Sequence, residues 1–204
     1  MKELKEIAVN YAAGKTNEVM DNAIAQAYAD GYRDGYNDRD AEIPVDLRGN
    51  KTEYIDLGLP SGTLWAKDYE HDDEILFLSY SKADQLSIPS EEQWEELNNF
   101  CRHEYEVDGA YNYVKATLIG PNGNILEFDR TDIIIANKKS SSWGGGAFIW
   151  ILDKDEREDN EKKCGHLYNK GYVTNPNYRK KEGRAEITRK FSGYKLPIRL
   201  VRKK

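Results

Sequence analysis

The chain has 204 residues, 36 of them acidic and 30 basic, for a formal net charge of −6. That length allows one domain with an appendage, or at most two small domains, and a domain of about 150 residues can bury roughly two-thirds of its unfolded surface. The charged and hydrophobic fractions, 32% and 39%, lie outside the disordered regime; no apolar run is long enough to span a membrane, and two cysteines are too few for a disulfide scaffold.

The first residues, MKELKE, are charged and no apolar segment follows, so the expectation is synthesis in the cytoplasm without a secretory signal. Residues 2–13 read as a short amphipathic helix with Leu4, Ile7, Ala8 and Tyr11 on one face. A second helix is expected from a cap at Asn17 to about Arg39. In it Met20, Ile24, Tyr28, Tyr32 and Tyr36 recur every four residues, and so do Ala23, Ala27, Gly31 and Gly35. Each interior glycine costs about 1 kcal/mol relative to alanine, and close approach of another helix to a small-residue stripe offsets such a cost. Met20, Ile24, Ala27, Tyr28, Gly31, Tyr32, Gly35 and Tyr36 are therefore the expected assembly residues. They would serve a homo-oligomer, with a trimer favoured, or a docking protein partner; packing of the helix on its own domain is the competing outcome. Residues 43–52, with Pro44 and Gly49, read as a linker between this helical segment (1–42) and a domain at 53–204.

The domain opens with YIDLGLPSGTLWA at residues 54–66, a hairpin turning at Pro60-Ser61-Gly62, with Trp65 in the core. Residues 75–80, ILFLSY, read as one buried strand. Ser90 and Gln93 fit a capping box opening a helix whose core face carries Trp94, Leu97 and Cys101. Residues 111–118 and 125–128 alternate around a PNGN turn, a hairpin signal. Strands are expected at 133–136 and 147–152, and weaker ones at 167–173 and 185–188. Residues 153–163 read as a charged surface loop or helical turn. In residues 194–201, Leu196, Ile198 and Leu200 face one way, and Pro197 suggests a sheet edge.

Four of these stretches resemble, in order, the short major paralogous domains called FISUMP: DLGLPSGTLWA, SIPSEEQW at 87–94, GPNGN at 120–124 and IRLVR at 198–202. The resemblance implies an α+β, C-type-lectin-like or sulfatase-modifying-factor-like domain of short antiparallel strands with one main helix, here preceded by the helical segment. A fold of that kind does not fix a function.

No hydrolase elbow, zinc-protease helix or phosphate-cradling loop is present, and the lectin calcium signatures are missing, so no enzyme, cofactor or metal is expected. Cys101-Arg102-His103 and Cys164-Gly165-His166 repeat a C-x-H pattern that could supply zinc ligands, but not at the common structural spacings. Trp143, between serines and a triple glycine, is a loop aromatic suited to a sugar face, with a core position as its alternative. Tyr168, Asn169, Tyr172, Asn175, Asn177 and Tyr178 form a second candidate ligand cluster, whose alternative is ordinary turn chemistry. Residues 178–204 hold eleven Lys or Arg against Glu182 and Glu186. A solvated strand face is the expected reading; nucleic acid is disfavoured because no nucleic-acid motif accompanies the charge.

The function expected is a non-enzymatic structural or binding protein, a phage or mobile-element virion fibre or decoration component, presenting its domain to a glycan or cell-surface ligand without entering a membrane. The alternative is an intracellular adaptor that binds nucleic acid or an acidic partner through the basic segment.

Overall fold

The computed structural model describes residues 52–140, 145–155, 160–172 and 175–204, all within the compact unit Asn50–Lys204. The two expected N-terminal helices with their assembly stripe, and Trp143, lie outside the described residues. What is described is built mostly of short antiparallel strands with few helices.

β1 (Tyr54–Asp56) and β2 (Thr63–Ala66) form the expected hairpin, closed by Gly62 N–H donating to the Leu59 carbonyl at 2.9 Å. Gly58 and Gly62 adopt φ of +72° and +71°, where a side chain would be strained. β3 (His71–Asp72) and β4 (Glu74–Ile75) form a minimal hairpin, followed by β5 (Phe77–Leu78) and the one-turn α1 (Tyr80–Ala83). The single strand expected at 75–80 is thus broken. Leu76 N–H turns aside to the Glu70 carbonyl and Tyr80 N–H to that of Ser192, so the ladder cannot continue.

The main helix α2 (Glu91–Phe100) starts with the predicted capping box: Ser90 Oγ accepts from Gln93 N–H, and the Gln93 side chain accepts from Ser90 N–H. It delivers Trp94 and Leu97 to the core. Next come β6 (Arg102–Val107), β7 (Tyr113–Ile119) and β8 (Ile125–Asp129), a three-stranded sheet whose β7–β8 connection is the GPNGN turn. β6 escapes the sequence reading because RHEYEV alternates charges with half-buried groups. β9 (Ile133–Ile135) pairs with β10 (Lys138–Ser140).

β11 (Ala147–Trp150), β12 (Glu161–Asn169) and β13 (Gly183–Phe191) form a second three-stranded sheet, in that order. β12 and β13 pair over nine residues, far beyond the weak strands expected at 167–173 and 185–188. The segment before them is not a free surface loop at its start. The Asp153 carboxylate is wholly buried, 3.0 Å from Arg189 Nη1 and 4.0 Å from Lys163 Nζ; Asp155 accepts from both cations, and Glu91 of α2 lies 2.7 Å from Lys163.

β14 (Leu196–Pro197) pairs with β5, and β15 (Val201–Lys203) pairs with β2. Leu196, Ile198 and Leu200 are buried as expected, but so is Arg199, 1% exposed. Its guanidinium lies 4.6 Å from the Tyr69 ring centre and 4.1 Å from that of Phe128. This corrects the expectation of a wholly solvated basic face. Flanking rings replace water around the planar cation, which a lysine ammonium would not allow as readily.

The principal core joins Leu57, Trp65 and Tyr69 to Trp94 and Leu97 of α2, to Tyr113, Leu118, Leu126 and Phe128 of the first sheet, and to Ala147, Ile149 and Leu167 on one face of the second. The four stretches that carry the FISUMP resemblance converge around the first hairpin. Asn122 and Asn124 each donate a side-chain N–H to the Asp56 carbonyl, at 2.8 and 2.7 Å; Gln93 Nε2 of α2 donates to Thr63 Oγ1 at 3.3 Å; and β15 runs beside β2.

Candidate functional site

β12 presents alternate residues to opposite faces of its sheet. Leu167 joins the core, and Gly165 lies flush beneath Trp94, where an added Cβ would come within 2.7 Å of the indole. Cys164, His166 and Tyr168 take the other face, which also carries Phe148 and Trp150 of β11 and Arg184, Glu186, Thr188 and Lys190 of β13 by register. At the Trp150 end this outer face is roofed: Trp150 Nε1 donates to the Leu78 carbonyl at 2.8 Å and its ring meets Tyr80 edge-on. Toward the other end the cover thins.

There three rings stack in a ladder. Phe148 and His166 are 4.0 Å apart at 10°, and His166 and Tyr168 are 4.5 Å apart at 11°. The Lys190 ammonium lies 5.3 Å from the Phe148 ring centre. Tyr168 O–H donates to Glu186 at 3.0 Å, and His166 Nδ1 is 3.5 Å from the same carboxylate. Burial holds the imidazole well below its ordinary value, at about 4; Glu186 opposes that shift only partly. At neutral pH the contact is therefore a long N–H···O approach, not an ion pair. The neutral ring's Nε2 is buried without a partner against Gly146, where a Cβ would come within 2.6 Å.

β12 runs from this ladder into the connection to β13, where the rest of the predicted cluster falls. Asn169 is buried and holds the base of that connection: its amide donates to the Tyr111 and Lys180 carbonyls and its Oδ1 accepts from Glu182 N–H. Every polar site of its side chain is thus engaged with backbone. Asn175 caps the short 3-10 turn Pro176–Tyr178 by accepting from Asn177 N–H. Tyr172 lies under the Arg179 guanidinium, 4.6 Å from ring centre to carbon, and Arg179 also donates to the Ala110 carbonyl. Asn177 is exposed, and Tyr178 is the most exposed large apolar side chain described, at 73%. The structure brings Tyr111 to the same end, 38% exposed on the β6–β7 turn with φ +63°.

Sequence reasoning missed Phe148, Arg179 and Tyr111, and weighed His166 only as a zinc ligand, not as a ring of the ladder. The i, i+2 recurrence of His166 and Tyr168 was the available signal, hidden because the strand was expected to start at 167. The two C-x-H pairs do not meet as a ligand set. Cys101 belongs to the principal core and Cys164 to the outer face, both as free buried thiols with pKa values raised by burial to about 11 and about 12. Among the described residues no three His, Cys, Asp or Glu side chains are grouped to hold a metal, and no helix is long and apolar enough to cross a membrane. No family model, curated protein or solved structure matches this chain.

Proposed function

We propose that the chain is a non-enzymatic binding protein. Residues 53–204 act as a C-type-lectin-like module, and the connection between β12 and β13 is its ligand-facing end. The observation that carries this reading is the ladder Phe148–His166–Tyr168, which emerges from cover and leads along β12 toward Tyr172, Tyr178 and Tyr111. Rigid aromatic faces beside adaptable polar groups suit a glycan or other cell-surface ligand, because the rings supply contact area at low entropic cost. Residues 1–42 would attach or oligomerise the module, as in a fibre or decoration protein of a phage or mobile-element particle.

The adaptor reading gains no comparable support. Arg189 is bound to Asp153 and Asp155, Lys180 and Arg184 to Glu182, and Lys204 to Asp56, while Arg202 covers Tyr54 and Arg199 is buried. Four of its eleven cations are thus paired with carboxylates of the domain, and Arg199 is withdrawn from the surface.

A glycan array probed with the full chain and with Tyr178→Ala tests the proposal. Binding by the parent that Tyr178→Ala loses is the expected result. No retained glycan, or full retention by the variant, would overturn it. Light scattering on the full chain and on residues 50–204 tests the assembly role; equal association states for both would remove residues 1–42 from it.

A further inference from the structure

On the opposite side of the second sheet from the aromatic ladder, a cleft of about 470 Å³ runs between α2 and β13. Glu91, Trp94, Glu95, Asn98 and Asn99 line it from one face of the helix, and Ala185, Glu186 and Ile187 from the strand. β13 ends its sheet: it pairs with β12 alone among the described strands, so its second edge offers alternate backbone N–H and C=O groups to the cleft side. A helix beside an open strand edge is the geometry in which an extended peptide can add a strand, with the helix forming the other wall.

Two further observations point to an occupant. Two carboxylates of α2, Glu91 and Glu95, line the cleft and no lysine or arginine does, so it favours a cation; Glu186 turns its carboxylate to the ladder on the other face. Glu91 is held by Lys163 at 2.7 Å, which leaves exposed Glu95 as the readiest counter-charge. Trp94, 1% exposed, and Asn98 also carry buried polar atoms without partners, the indole Nε1 donor and the amide Oδ1 acceptor. An unpaired buried polar group costs about 1–3 kcal/mol, and a peptide group brings both an acceptor and a donor to such a pair.

We propose that this cleft takes an extended peptide segment bearing lysine or arginine, which joins β13 as a fourth strand of the sheet. A second copy of this chain is the poorer occupant. Antiparallel self-pairing centred on Ile187 sets Arg184 opposite Lys190, and like charges directly opposed across strands repel.

The test is hydrogen exchange on the full chain with three synthetic probes: the capped hexapeptide (Lys-Val)3, its (Glu-Val)3 counterpart, and a (Lys-Val)3 analogue with proline at the second valine. The expected result is protection of amides in residues 183–191 by (Lys-Val)3. It should be weaker by about five- to tenfold in affinity for (Glu-Val)3, and for (Lys-Val)3 on Glu95→Lys. The proline analogue should lose most of the protection, because it lacks a ladder donor. Glu95 is exposed on the helix, so its replacement leaves the fold intact, which the unperturbed exchange of the β7 amides would verify. No protection at 183–191, equal protection by all three peptides, equal binding by Glu95→Lys, or protection that appears only with self-association on light scattering would each overturn the proposal.

Discussion

His166→Phe isolates the energetic consequence of placing an imidazole within an aromatic ladder. The substitution keeps a ring between Phe148 and Tyr168 and removes the titrating group. In the folded chain His166 titrates near 4, against 6.5 for an unburied histidine. Above pH 6.5 both folded and unfolded states hold it neutral and it contributes nothing pH-dependent. As pH falls below 6.5 the unfolded chain takes up the proton and the folded one does not, so folding loses stability until the folded group also titrates. Linkage puts the loss at about 2 kcal/mol at pH 5 and about 3 kcal/mol at pH 4. The imidazole side chain is only 14% exposed, so solvent screening trims this little. Urea unfolding followed by tryptophan fluorescence at pH 7.5, 6, 5 and 4 reads the effect. The stability difference between His166→Phe and the parent should move in favour of the variant by that amount as pH falls. Its value at pH 7.5 carries the fit of the larger ring against Gly146 and is not the test. The acid response of carboxylates that do not touch the ring, including Glu182 held at about 2 by Lys180 and Arg184, is common to both proteins and cancels. A difference that stays flat from pH 7.5 to 4 would refute the reasoning.

Other expectations follow from the packing. Gly165→Ala drives a methyl group into the Trp94 ring and should cost about 1–3 kcal/mol, read as a lowered urea midpoint with an unchanged slope. Arg199→Met should be neutral or stabilising in thermal unfolding, because Nε and Nη1 of the buried guanidinium have no hydrogen-bond partner, whereas Arg199→Ala should lower the midpoint by leaving a void between Tyr69 and Phe128. Cys101 and Cys164 should resist iodoacetamide at pH 8 in the native protein and label fully in urea, since both thiols are buried and titrate near 11 and 12.

Legibility in the sequence tracked local chemistry. The hairpin at 54–66, the capping box at Ser90 and the GPNGN turn are set by a few adjacent residues, and each stands in the structure as read. The long β12–β13 pair was under-read because its pattern is non-local. A glycine in the middle of EKKCGHLYN reads as a break until Trp94, seventy-one residues earlier, is known to lie on it. GRAEITRKF looks like a solvated charge run until Asp153 and Asp155 are placed beside Arg189. The ladder was illegible for the same reason: Phe148 joins His166 only through the register of β11 on β12. Asn169 shows the converse. Its polar, loop-like surroundings suggested a ligand contact, and tertiary folding engages its whole amide with backbone groups.

The ladder separates stability from recognition along a single strand face. Phe148 is 1% exposed, and Cys164, which opens the face on β12, is fully covered. His166 follows with a small exposed edge, and Tyr168 is half-buried with its hydroxyl on Glu186. Burial falls toward the β12–β13 connection, so the energetic role of each ring should shift in the same direction. Phe148→Ala empties a closed site and should cost about 3–5 kcal/mol of folding free energy. Tyr168→Ala loses a partial stack and one hydrogen bond to a charged group, about 1–3 kcal/mol, and leaves a folded protein in which the emergent part of the ladder is missing. On a glycan array Tyr168→Ala should therefore lose binding at a temperature where its circular dichroism matches the parent. Equal destabilisation by the two substitutions, or full binding by Tyr168→Ala, would mean that the ladder is packing from end to end, and the recognition surface would contract to Tyr111, Tyr172 and Tyr178 at the tip.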